Sequence, residues 1–145
     1  MPAFDMMRTA IFHSQYEDLD EIRQFVSRAA QDMGMDESET YQVALAVDEA
    51  CSNVIEHGCQ GRCDEEIEIT CSDENDCLTI LIRDHGSPFD PGSAPTPDLS
   101  KDINQRQVGG LGIFLMRRLM DDIHYERLGE AGNVLTLVKR RKQEA

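Results

Sequence analysis

The stretch Asp48-Glu49-Ala50-Cys51-Ser52-Asn53-Val54-Ile55-Glu56-His57-Gly58 decides how the rest of the chain is read. It closes a segment in which Val43, Val47, Ala50 and Val54 recur at three- and four-residue intervals. That period predicts an amphipathic helix beginning near Asp36 or Ser38 and stopping at His57-Gly58. At about 100° per residue, Glu49, Asn53 and His57 fall on one diagonal beside the apolar stripe. A carboxylate and a carboxamide one turn apart therefore border the core, where polar groups cap a neighbour or line a cleft. An asparagine oxygen is a hard ligand suited to Mg²⁺, which keeps several waters and takes other oxygens from phosphates. A glutamate one turn earlier can accept a proton from an attacking hydroxyl or water. An ordinary solvated helix face has the same pattern, so the surroundings must decide.

Two later segments bear on that choice. Leu78-Thr79-Ile80-Leu81-Ile82-Arg83 reads as a strand and delivers Asp84-His85-Gly86 at its end. A carboxylate there can accept a hydrogen bond from an exocyclic amine such as that of adenine, and Gly86, without a Cβ, lets a base approach the backbone. Asp-x-Gly is also a common turn. Farther on, Gly109-Gly110-Leu111-Gly112 precedes and enters another helix. Clustered glycines leave backbone N–H groups exposed near the positive end of that helix, which attracts phosphate. They also suit a hinge. The absence of Gly-Lys-Ser/Thr excludes a P-loop, and the spacing is not that of the dinucleotide fingerprint.

Outward from these segments the chain divides simply. Residues 6 to 12 suit an edge strand, and Leu19, Ile22, Val26, Ala29 and Met33 predict a helix from Tyr16 to about Met33, with Gly34 as its stop. Glu65 to Cys71 and Cys77 to Arg83 predict a hairpin around Ser72–Asp76. Residues 87 to 108 hold four of the five prolines and few apolar groups, a connection long enough to be functional or disordered. A helix from Leu111 to about Met120, a strand near Ile123–Arg127, a turn at Gly129–Gly132 and a last strand from Val134 to Arg140 complete the chain. The expected fold is a single α/β domain over residues 1–145, a two-layer α+β sandwich with a mostly antiparallel sheet and three helices on one face.

Bulk properties narrow the function. With 145 residues the chain can bury a real core, and its formal charge of −14 disfavours direct contact with nucleic acid or an anionic membrane. The one basic run, Lys139-Arg140-Arg141-Lys142, reads as a solvated chain end. No apolar stretch approaches the roughly 20 residues needed to span a bilayer, and the N-terminus lacks a signal-peptide pattern, so the expected location is cytoplasmic. Five cysteines without a Cys-x-x-Cys pair read as free thiols, and His57, Cys59 and Cys63 match no zinc spacing.

Taken together the three segments resemble the GHKL ATP-binding superfamily of gyrase, a chaperone class, histidine kinases and MutL. Within it the chain is most similar to the bacterial anti-sigma-factor serine kinases. Asp48–Gly58 matches the N box, Asp84-His85-Gly86-Ser87-Pro88-Phe89-Asp90-Pro91 the first glycine box, and Gly109-Gly110-Leu111-Gly112-Ile113 the second. The resemblance implies a Bergerat-type ATP-binding fold with Glu49 as catalytic base, Asn53 as Mg²⁺ ligand and Asp84 as adenine contact. Gly86 would shape the adenine site, residues 92–108 would form the ATP lid, with Lys101 and Arg106 able to reach phosphates, and Gly109, Gly110, Leu111, Gly112 and Ile113 would line the nucleotide. Thr136 matches a threonine that helps hold a water beside adenine in the superfamily. Pro88 departs from the pattern, since many members have glycine there.

The implied activity is that of a Mg·ATP-dependent protein-serine kinase. It would phosphorylate an anti-anti-sigma protein of the STAS type, sequester a sigma factor in the other partner state, and form a homodimer. The alternative is an ATP-gated protein-binding module without phosphoryl transfer. Retention of Glu49 weighs against it, because pure binding has no use for a base.

Overall fold

The computed structural model describes residues 7–58, 65–85 and 108–142. Gly86 and most of the expected lid lie outside them. Five strands form one sheet in the order β1-β2-β3-β5-β4, every neighbouring pair antiparallel. They are β1 (Met7–His13), β2 (Glu66–Glu74), β3 (Cys77–Asp84), β4 (Asp122–Arg127) and β5 (Asn133–Arg140). Ile67, Ile69 and Cys71 of β2, Leu78, Ile80 and Ile82 of β3, and Leu135 and Leu137 of β5 point to one face and are buried. On that face they meet Ile22, Val26, Ala29, Ala30, Val43, Ala46, Val47, Ala50 and Met116 of the helices α1 (Leu19–Asp32), α2 (Glu37–Asn53) and α3 (Val108–Leu119) in one core. The period-2 and period-3.6 apolar patterns are thus two sides of one interface.

Local chemistry sets the ends of these elements. Tyr16–Asp18 forms a 3-10 turn ahead of α1, so the expected first helix splits at its start. Asp36 caps α2: its side chain accepts from Glu39 N at 2.7 Å, and Glu39 Oε1 accepts from Asp36 N at 2.9 Å, a complete capping box. After Asn53 the helix widens into a π turn over Val54–Gly58, a form frequent at functional sites. The hairpin is tighter than the sequence suggests, because Asn75 and Asp76 both take positive φ (52° and 63°) and close it in two residues.

Helix α3 begins at Val108, three residues earlier than expected, which puts Gly109, Gly110 and Gly112 inside it. Each glycine weakens a helix interior by about 1 kcal/mol relative to alanine, so this first turn is built to be marginal. Among the described residues no helix is long and apolar enough to cross a membrane.

The basic run is not a free end. Lys139 Nζ donates to Leu119 O at 2.6 Å, Arg140 N to Asp121 Oδ2 at 2.6 Å, Arg141 N to Asp76 O at 2.8 Å, and Lys142 N to Glu39 Oε2 at 2.7 Å. The expectation of a solvated chain end holds for the exposed Arg140 and Lys142, while their backbone is tied to carboxylates far away in the chain.

Candidate nucleotide site

The packing of α2 on the core fixes Glu49 and Asn53, and α3 arrives over them. A Cβ built on Gly112 would lie 2.9 Å from Glu49 Oε2, 3.5 Å from Asn53 Nδ2 and 3.7 Å from Asn53 Oδ1. A side chain at 112 would push against the Glu49 carboxylate, so glycine lets the first turns of α3 rest on it without displacing it. Glu49 is half-buried, and its carboxyl is raised above the ordinary range, first by loss of solvent and second by the neighbouring charge of Asp48. Asp48 itself is held by Arg23, whose Nη1 donates to Asp48 Oδ1 at 2.5 Å while Nη2 binds Asp20. A carboxyl that holds its proton above the ordinary glutamate range has the property a general base needs.

Asn53 Nδ2 is buried and has no hydrogen-bond partner among the described residues. An orphaned buried amide is costly unless a ligand completes it, and a carboxamide turned end for end offers its oxygen to the same space. A hard cation such as Mg²⁺ fits that donor. Among the described residues no group of three or more His, Cys, Asp or Glu could hold a metal ion.

On the sheet side, Asp84 is the last residue of β3 and shares the helix-facing side with Ile80 and Ile82. It is buried, and it lies close enough to Cys51 of α2 to help burial push that thiol up, along with Asp48. Its register partner across β5 is Asn133, also buried, whose Nδ2 donates to Asp84 Oδ1 at 3.2 Å. Gly132, at φ +95°, lets the strand in: a Cβ there would come within 2.4 Å of Asp84 O and 2.9 Å of His85 Nδ1.

Thr136 is not brought to this cluster. It pairs with Leu81 in the register, and residue 81 points away from the face of Ile80, Ile82 and Asp84, so Thr136 lies on the sheet face opposite the three helices. The β5 side chain that stands beside Asp84 is Asn133. Parity was the available signal: Leu135 and Leu137 belong to the core, so the helix-facing set in β5 is 133, 135, 137. Gly109, Gly110, Leu111 and Ile113 lie within α3, and Gly86 falls outside the described residues.

The geometry is that of a half-buried carboxylate and an unpartnered carboxamide under a glycine-rich helix start, with a second, buried carboxylate on the adjoining strand. Residues 12–139 match the family described as histidine kinase-like ATPase domain. The chain belongs to that family. It is 30% identical over 105 residues to the serine/threonine-protein kinase BtrW of Bordetella bronchiseptica, covering 72% of this chain and 73% of that protein. It is 32% identical over 111 residues to the serine-protein kinase RsbW of Bacillus subtilis, covering 72% of this chain and 68% of that protein.

The crystal structure of the RsbU and RsbW domains of Rv1364c from Mycobacterium tuberculosis superposes with a TM-score of 0.68 at 15% identity. That match covers 97% of this chain but 34% of the longer one, and it shows the fold. As a histidine kinase-like ATPase domain with relatives of this kind, the chain is a kinase by class, and ATP is the nucleotide its family uses.

Proposed function

We propose that this chain is a Mg·ATP-dependent protein-serine kinase that phosphorylates a small anti-anti-sigma protein of the STAS type and acts as a partner-switching anti-sigma factor. The convergence of Glu49, Asn53 and Gly112 carries the reading, because it sets a proton-avid carboxylate beside an unpartnered amide at the start of a glycine-rich helix. Asp84 accepts the exocyclic amine of adenine, with Gly86 giving the base room. Asn53 holds Mg²⁺, which when bound neutralises phosphate charge, and the first turn of α3 presents N–H groups to phosphate oxygens. Glu49 orients the acceptor serine hydroxyl and takes its proton as the serine oxygen bonds to the γ-phosphorus and the bond from that phosphorus to the bridging oxygen breaks, releasing ADP.

Partner switching in this reading is driven by nucleotide, through the ATP lid expected over residues 92–108. Such switching requires the nucleotide states to differ in partner affinity. A homodimer and a cytoplasmic location belong to the same reading.

The test is phosphate transfer from labelled Mg·ATP to serine of a partner recovered from the native cell with and without ATP, using wild type and Glu49→Gln. Transfer by wild type, with a loss of about 10²- to 10⁴-fold in Glu49→Gln at unchanged nucleotide affinity, supports the reading. ATP-dependent partner capture without any transfer by wild type would instead establish the gated binding module.

A further inference from the structure

The run Lys139-Arg140-Arg141-Lys142 has no part in nucleotide chemistry, yet its residues tie the end of β5 to four places. Lys139 Nζ caps the last turn of α3 through Leu119 O, at 2.6 Å. The junction that follows is stitched by Asp121 N to Val138 O at 2.8 Å and Arg140 N to Asp121 Oδ2 at 2.6 Å. Arg141 joins the β2–β3 turn through its backbone N to Asp76 O at 2.8 Å and its Nη2 to Asp76 Oδ1 at 3.1 Å. Lys142 N reaches Glu39 Oε2 at 2.7 Å, the carboxylate that also completes the α2 capping box, and Lys142 Nζ stands 3.6 Å from Asp36 Oδ2.

The exposed charge pairs in this set, Arg141–Asp76 and Lys142–Asp36, add little. More weight falls on the anchors with a partly or fully buried partner. Glu39 is 2% exposed, so loss of a donor there leaves a buried carboxylate oxygen short of a partner. The lysine ammonium on Leu119 O satisfies an orphan carbonyl at the negative end of the α3 dipole.

These anchors hold the C-terminal end of α3 and the N-terminal end of α2. The opposite ends of the same two helices meet where Gly112 rests on Glu49 and Asn53. We infer that the basic run is a strap that sets the angle between α2 and α3, and that Lys139 is a positioning residue for the Gly112–Glu49 contact. The functional weight of that contact rests on the nucleotide-site reading above.

The lever is short. Gly112 stands seven residues before Leu119, about 10 Å along the helix, so a tilt of about 5° at the pinned end moves it by about 1 Å. A displacement of about that size at a reacting centre can cost about 10²-fold in rate.

The test uses the full chain as wild type, Lys139→Met, Lys139→Arg, and Lys142→Pro, which deletes the N–H given to Glu39. Hydrogen exchange without nucleotide is the primary readout. Exchange at residues 112–115, the first amides of α3 with an intrahelical acceptor, and at 49–53 should quicken at least threefold in Lys139→Met and in Lys142→Pro, and stay within twofold of wild type in Lys139→Arg. Faster exchange confined to residues 117–121 or 36–40 would overturn the strap, since it would show only local anchoring. The affinity for Mg·ADP should then fall at least fivefold in Lys139→Met. Unchanged affinity alongside the propagated exchange would leave the strap standing and remove the contact from the nucleotide site. If Lys139→Met does not fold, Lys142→Pro alone decides between the propagated and the local pattern.

Discussion

Asn133 and Asp84 face each other across the β3–β5 register, both buried, with the Asn133 amide donating to the Asp84 carboxylate at 3.2 Å. A buried carboxylate needs donors, and this one comes from the neighbouring strand rather than from solvent. Asn133→Ala takes that donor from Asp84 and should cost about 1–3 kcal/mol in urea unfolding. Asn133→Asp, which sets two acids together, should cost more. If Asp84 reads the base, Asn133→Ala also shrinks the thermal shift given by Mg·ADP, since a ligand stabilises only by binding the folded state. A shift equal to wild type would separate Asn133 from nucleotide recognition.

Two glycines of one turn make contrasting predictions. Gly129 has φ +60° and open space around it, so Gly129→Ala meets only the left-handed backbone penalty of about 1–2 kcal/mol. Gly132 has φ +95°, and its Cβ would fall 2.4 Å from Asp84 O. Gly132→Ala should therefore destabilise by clearly more than Gly129→Ala, and it should weaken Mg·ADP binding because the strand bearing Asp84 must move. Equal unfolding midpoints for the two variants would contradict the close approach.

Much of this architecture was legible in the sequence because it is local. The Val43, Val47, Ala50, Val54 stripe specified α2, and the Asp36–Glu39 pairing is a local signal for its start. The alternation in 78–82 gave β3, with Asp84 at its end. What escaped depends on contacts between distant residues. Thr136 was read from a motif, whereas its face is set by its register with Leu81. The anchoring of the basic run was not legible because nothing nearby in sequence names Leu119, Asp76 or Glu39 as its partners. The early start of α3 ran against the helix-breaking tendency of Gly109 and Gly110, which tertiary packing overrode.

The cysteines should divide by burial. Cys51 and Cys71 are buried free thiols, and burial pushes Cys71 up to about 12, while Cys77 is only partly covered. Thiolate is the reactive form, so iodoacetamide at pH 8 should leave Cys51 and Cys71 unmodified in native protein and label both in urea. Peptide mass mapping checks this. Rapid native labelling of Cys51 would mean that α2 opens readily from the sheet.

Glu49 gives the last prediction through the sign of its shift. Its carboxyl lies above the ordinary glutamate range, because burial disfavours the charge and Asp48 adds like-charge repulsion. The folded state therefore holds this proton more tightly than the unfolded chain does. Stability linked to Glu49 is present at low pH and is lost as pH rises through the raised folded value. Glu49→Gln, which cannot ionise, should raise the unfolding midpoint at pH 7, and the gain should vanish once pH falls below the unfolded value near 4.3. Activity runs the other way, because a base works only when deprotonated. Phosphoryl transfer should decline on the acid side around the raised value, and Asp48→Asn, which removes the repulsion, should move that limb to lower pH. A limb unmoved by Asp48→Asn, together with a Glu49→Gln midpoint no higher than wild type at pH 7, would show that Glu49 titrates like an exposed acid and is not the base.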